Sequence, residues 1–189
     1  DIRGGSEIRV PASFFAVAAR REHPLPSGSA KRPVVKMGKF IRHPEATETP
    51  HTVWFRKSFD LPAGQGAGKA ALKMIVDDAF VLYVNGRRIG EGSDWQKVYA
   101  HDISAALVPG KNVIAVEARN FAGPFSLLAG LSAVTAAGSE VGAVSDRTWR
   151  TSLYFSEGWM LPGFDDGGWQ NALEYTAAPG LWGGMVDRS

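Results

Sequence analysis

Asp77-Asp78-Ala79-Phe80-Val81-Leu82-Tyr83-Val84-Asn85-Gly86-Arg87-Arg88-Ile89-Gly90 decides the fold class of this chain. Phe80, Leu82 and Val84 alternate with Val81, Tyr83 and Asn85, the two-residue period of a strand with one buried face. Asn85-Gly86 then offers the two positive-φ residues that a type I′ hairpin turn requires. Two carboxylates stand at the head of the hairpin, where the strand leaves a loop.

The same rhythm of short apolar runs broken by turn residues continues on both sides. Upstream, Val53–Leu61 and Ala70–Val76 read as strands, separated by the loop Pro62-Ala63-Gly64-Gln65-Gly66. Downstream, Val98–Ile103 and Asn112–Arg119 bracket Pro109-Gly110-Lys111-Asn112, in which Pro fixes φ and Gly supplies a positive one. Phe125–Val134 forms a further run. Strands recurring at roughly 10–20 residues, with no helical period between them, predict an all-β antiparallel β-sandwich or jelly roll. Trp54, Phe55, Leu72, Met74, Leu82, Val84, Val113, Ile114 and Val116 are expected in its interior, with Trp149 and Trp169 mostly buried.

Length and composition fit one such domain with an extension: 189 residues, 44% hydrophobic and 21% charged. No apolar run approaches the roughly 18–20 residues of a membrane span, so direct membrane insertion is not expected. The chain opens at Asp1 without a leader pattern, which says little about export. With no cysteine, disulfides, thiolate metal sites and cysteine nucleophiles are excluded. The four histidines have no metal-ligand spacing, no Gly-x-Ser-x-Gly elbow occurs, and Gly64, Gly66 and Gly68 do not form a phosphate loop.

Residues 1–38 read as an irregular N-terminal extension, and residues 39–189 as the sandwich. Pro11–Arg20 can form a short helix or strand, and Pro24, Pro26, Gly28 and Pro33 mark a linker-like stretch after it. Nine Lys/Arg against three acids between Asp1 and His43 give this arm a local excess of +6. It is a solvated extension or a dock for a neighbouring protein subunit. It lacks the interleaved aromatics of a single-strand platform, so no nucleic-acid partner is expected.

The hairpin resembles the "aDD.f.lyvNG" signature of galactose-binding-like β-sandwich domains, which accompany bacterial α-L-rhamnosidases and other carbohydrate-active surface proteins. The resemblance spans residues 53–182. It includes Trp54-Phe55-Arg56-Lys57-Ser58-Phe59, the run from Tyr99 to Val116 with its Pro109-Gly110-Lys111-Asn112, Ser145–Arg150, and Phe164-Asp165-Asp166-Gly167-Gly168-Trp169. Two departures are evident. Met37–His43 replaces an aromatic "a.WIW" entry, and Asp77-Asp78 stands where Asp-Asn is common. The resemblance implies an extracytoplasmic setting and a non-catalytic role; the helical catalytic barrel of a whole rhamnosidase has no counterpart here.

Four residues are the candidate site. Asp77 and Asp78 can accept hydrogen bonds from vicinal hydroxyls or help hold Ca²⁺ with backbone carbonyls; alternatively one of them closes an Asx-turn. Trp95, in the polar loop Gly92–Gln96, either offers a flat face to a pyranose or folds back over the end of the core. Asn120, at a strand-to-loop junction, either faces the same ligand or satisfies the turn Phe121–Pro124. Asp165 and Asp166 do not read as an acid–base pair, because neighbouring strand positions point apart; the resemblance makes that motif structural.

These readings lead to a module that binds deoxy-sugar or galactose-type units of a polysaccharide, with Ca²⁺ as its expected cofactor. The alternatives are a structural subunit of an extracytoplasmic assembly, docked through residues 1–38, and an accessory domain cut from a glycoside hydrolase.

Overall fold

The structure, a computed structural model, describes residues 31–46 and 50–175. The Pro11–Arg20 segment and the rest of residues 1–30 lie outside the described residues. Among those described, twelve strands and one 3-10 turn form two antiparallel sheets. The strands are β1 (Phe40–Arg42), β2 (His51–Leu61), β3 (Ala67–Val76), β4 (Ala79–Val84), β5 (Arg87–Gly92), β6 (Tyr99–Asp102), β7 (Gly110–Asn120), β8 (Leu127–Thr135), β9 (Glu140–Val144), β10 (Arg150–Ser152), β11 (Gln170–Asn171) and β12 (Leu173–Tyr175). The first sheet runs β12-β1-β8-β3-β6, with β9 also paired to β8; the second runs β11-β10-β2-β7-β4-β5. The expected antiparallel sandwich is what the chain forms.

Alternation fixes the two inner faces. Leu72, Met74 and Val76 of β3 and Leu127, Ala129 and Leu131 of β8 meet Phe55, Leu82, Val84, Ile114 and Val116 of the second sheet in one buried core. The hairpin turn is built as its residues demand: Asn85 and Gly86 both have positive φ, 51° and 82°, and Val84 faces Arg87 across it. Asn85 does more than tolerate that backbone. Its Nδ2 donates to the Ala106 carbonyl and to Asn112 Oδ1, and its Oδ1 accepts the Val113 amide.

Two core expectations, Trp54 and Trp169, need correction. Trp54 is only half-buried and lies on the outer face of the second sheet, edge-on to Phe155 at 6.2 Å. Its neighbours Val53 and Phe55 take the inward positions, as strand parity requires. Val113 is fully buried, as expected, though it lies outside the main core cluster. A long connection, residues 153–169, joins β10 to β11. That connection covers one half of the outer face: Arg56 donates to the Leu161 carbonyl and to Asp166, and Tyr83 packs edge-on against Trp159 at 5.8 Å. Trp149 is buried, its Nε1 donating to the Val144 carbonyl, whereas Trp169 is half-buried and stacks on Trp159.

Residues 31–39 have no regular structure and cross the outer face of the first sheet. The Gly38 amide donates to the Ala129 carbonyl and the Lys39 amide to the Ser145 carbonyl. Gly130 permits the crossing, since a Cβ there would stand 2.0 Å from the Lys36 carbonyl oxygen.

Candidate functional site

Asp77 and Asp78 follow β3 directly and lead into β4, so they sit where the chain passes from one sheet to the other. Backbone hydrogen bonds hold them from both sides. The Asp77 amide donates to the Ser126 carbonyl and the Asp78 amide to the Arg119 carbonyl, each at 3.0 Å. The peptide bond joining the pair is cis. Asp78 Oδ2 accepts the Phe121 amide at 2.7 Å, so one of the two carboxylates does serve the loop backbone.

Asp77 is only 9% exposed. Burial, then a hydrogen bond to the Asp78 carboxyl, then the charge of that carboxyl push its pKa up from 3.8 to about 7. Tyr175 closes the same corner. Its hydroxyl donates to the Phe125 carbonyl at 3.2 Å, and the Arg42 guanidinium lies 5.7 Å from its ring centre. Its pKa is raised, chiefly by burial, against the opposing influence of Ser126 and Arg42, and Asp77 raises it further. Ser126 and Tyr175 are thus neighbours of Asp77, and Arg42 joins them through Tyr175, though no motif marked any of the three in the sequence.

Asn120 is the last residue of β7, buried, and its Nδ2 donates to the Gly123 carbonyl at 3.2 Å. It satisfies the 121–124 turn, one of its two expected roles, at the same end as Asp78. Trp95 rests half-buried on Ile75 and Leu128, outside the main core. Asp77, Asp78 and Asn120 thus stand at one end of the sandwich, while Trp95 packs on the outer face of the first sheet, over Ile75, two residues before Asp77. The donors there are oxygens, which suits a hard cation such as Ca²⁺. Among the described residues no group of three or more His, Cys, Asp or Glu is placed to hold a metal, so only two anionic ligands are on offer. Backbone carbonyls and water would have to complete the shell.

The other carboxylate pair is structural. Asp166 is 2.8 Å from Nε of the fully buried Arg56, and Asp165 Oδ1 accepts the Gly167 amide. A cavity of about 670 Å³ lies at the far end of β3, between Arg32, Pro33, Lys69 and Asp102. It is remote from Asp77, and Asp102 is occupied by Ser104. A smaller one, of about 300 Å³, opens beside Asp78 and is lined by Ala79, Val81, Glu91, Ser93 and Arg119.

The two-sheet fold is that of a galactose-binding-like β-sandwich, and comparison with known proteins agrees. No protein-family model matches the chain. An α-L-rhamnosidase of Streptomyces avermitilis is 29% identical over 171 residues, covering 84% of this chain and 16% of that protein. The crystal structure of the S. avermitilis enzyme complexed with L-rhamnose superposes with a TM-score of 0.63 at 27% identity, over 72% of this chain and 14% of the other. A lectin from Pleurotus ostreatus in complex with GalNAc gives a TM-score of 0.68 at 28% identity, over 77% of this chain and 45% of the lectin. A GH78 rhamnosidase from a Bacillus species gives 0.65 at 29% identity, over 77% and 19%. The chain is thus similar to a lectin and to a minor part of large glycoside hydrolases, spanning about a sixth of the curated relative it matches.

Proposed function

We propose that this chain is a non-catalytic carbohydrate-binding domain that reads deoxy-sugar or galactose-type units at the rim formed by Asp77, Asp78, Asn120 and Trp95. The observation that carries the reading is the carboxylate pair. A buried acid held protonated up to about pH 7 costs stability, and ligand hydroxyls or a cation would relieve that cost. Its likeness to a lectin structure holding GalNAc and to a rhamnosidase structure holding L-rhamnose supports the ligand class. Ca²⁺, held by Asp77 and Asp78 with loop carbonyls, would neutralise the pair and orient it toward hydroxyls. A shallow rim of this kind binds at roughly μM to mM affinity. Its use is to keep a linked catalytic domain near a polysaccharide through effective concentration, outside the cytoplasm where such polymers lie.

The small share of the rhamnosidases that the chain spans favours a second, compatible reading: an accessory domain of a larger glycoside hydrolase. Docking on a neighbouring subunit through residues 1–38 belongs to that reading. A glycan array with and without Ca²⁺, followed by titration of hits against Asp77→Ala and Trp95→Ala, tests the site. Loss of binding in either variant is expected. A wild type that binds nothing, or variants that bind as well as wild type, would give the accessory role the lead.

A further inference from the structure

Among the described residues, the outer face of the second sheet is covered by residues 153–169 over one half only. On the other half, β4 turns its small outward residues Ala79 and Val81 to the surface. Long side chains flank them: Arg119 and Glu117 from β7 on one side, Glu91 from β5 on the other. The register sets Val81 between Glu117 and Glu91, and Ala79 opposite Arg119. The result is a groove of about 300 Å³ that begins next to Asp78.

We infer that this groove is an extension subsite for the next one or two units of a glycan whose terminal sugar sits at the Asp77–Asp78 rim. The inference rests on the proposed rim site. Continuity is the first support: Ala79 follows Asp78 in the chain, and the Arg119 backbone accepts the Asp78 amide. From Asp78 to Val81 the strand advances about 10 Å, a short run suited to one or two sugar rings.

Chemistry is the second support. An apolar floor suits the C–H face of a pyranose, and the walls present charge-assisted donors and acceptors at hydroxyl height. Those walls are neutralised internally. Arg119 donates to Glu117 through Nε at 3.0 Å and Nη2 at 2.7 Å, and Arg88 pairs with Glu91 at 2.5 Å. A groove with paired charges favours an uncharged oligosaccharide over an anionic polymer. Its end wall is also pinned, since the Tyr99 hydroxyl accepts the amides of Ser93 and Asp94.

The test is calorimetric titration of the full chain with L-rhamnose and with α-linked rhamnose di- and trisaccharides. Wild type is compared with Val81→Phe, which fills the groove from an outward strand position, and with the exposed Glu91→Ala. We expect the trisaccharide to bind roughly tenfold more tightly than the monosaccharide, the gain of one or two net hydrogen bonds. Both variants should lose that gain while keeping wild-type affinity for L-rhamnose. Monosaccharide binding that is sensitive to Asp77→Ala but unimproved by chain length overturns the groove and spares the rim. A length gain untouched by Val81→Phe overturns it as well. Trisaccharide binding that Val81→Phe weakens but Asp77→Ala leaves unchanged would place the glycan in the groove alone and overturn it as an extension of the rim. Binding of neither sugar overturns both.

Discussion

Asp77→Asn is the substitution that separates a carboxylate kept for binding from one kept for structure. Asparagine mimics the protonated acid in shape and can still donate to Asp78, but it cannot ionise. The wild-type group has its folded-state pKa raised from 3.8 to about 7. Below pH 3.8 the acid is protonated in both states, and its contribution to stability is full. As pH rises from there the unfolded chain ionises first, so stability falls, and the loss is complete once pH passes about 7. At about 1.4 kcal/mol per pKa unit, the whole penalty is about 4 kcal/mol. Asp77 is nearly buried, so solvent screening removes little of it. Because Asp78 shares the titration, the window is read as a property of the pair.

Between pH 5 and pH 8 the variant should therefore gain about 2–3 kcal/mol on wild type, or about 5–10 °C in Tm. Thermal melts of both proteins across that range, in chelator so that no divalent cation screens the pair, supply the measurement. A difference in Tm that is constant with pH, or that grows toward acid, refutes the reasoning. The same variant should bind the glycan-array hits more weakly. Higher stability with lower affinity is the pattern expected of a binding-site acid that costs stability.

Three further outcomes follow from packing. Asp166→Ala should cost about 3 kcal/mol in urea unfolding, because it strips the ion partner from the fully buried Arg56; a loss under about 0.5 kcal/mol would show the pair to be ornamental. Asn85→Ala should cost about 3 kcal/mol, combining a non-glycine residue at φ 51° with the loss of hydrogen bonds to Ala106, Asn112 and Val113. Asn85→Gly, which keeps the backbone preference, should cost less. Gly130→Ala should lift residues 31–38 from the first sheet, seen as faster hydrogen exchange at the Gly38 and Lys39 amides, with about 1–3 kcal/mol lost.

The sandwich was legible wherever the signal was local. Asn85-Gly86 specifies its turn from two residues, and β2, β3, β7 and β8 are long enough to show their apolar runs. The strands of two or three residues, β1, β10, β11 and β12, carry too few positions to display any period. Trp54 and Phe55 were both read as interior although adjacent strand residues must point apart. Parity could not choose between them, because the 153–169 connection makes much of the outer face apolar too. That connection hides Trp159 and seats Arg56 without any regular structure to announce it.

The candidate site follows the same logic. Asp77, Asp78, Trp95 and Asn120 were readable because each stands at a strand end or in the loop beyond it. Arg42, Ser126 and Tyr175 were not, since only the ladders β1–β12 and β1–β8 bring them to the corner where Asp77 sits. One end of the sandwich is therefore assembled from strand termini far apart in sequence, on a core that does not include them. If a sugar binds at this end, changes in the 93–98 or 121–126 loops would alter which hydroxyls it meets while the inner faces stay packed. The groove over β4 differs in this respect. Its floor and flanking side chains come mainly from paired strands, so its width is set by the register of β5, β4 and β7 rather than by a loop. If rim and groove hold one glycan, the rim is the part free to change with the terminal sugar, and the groove is the part that measures whether a chain continues behind it.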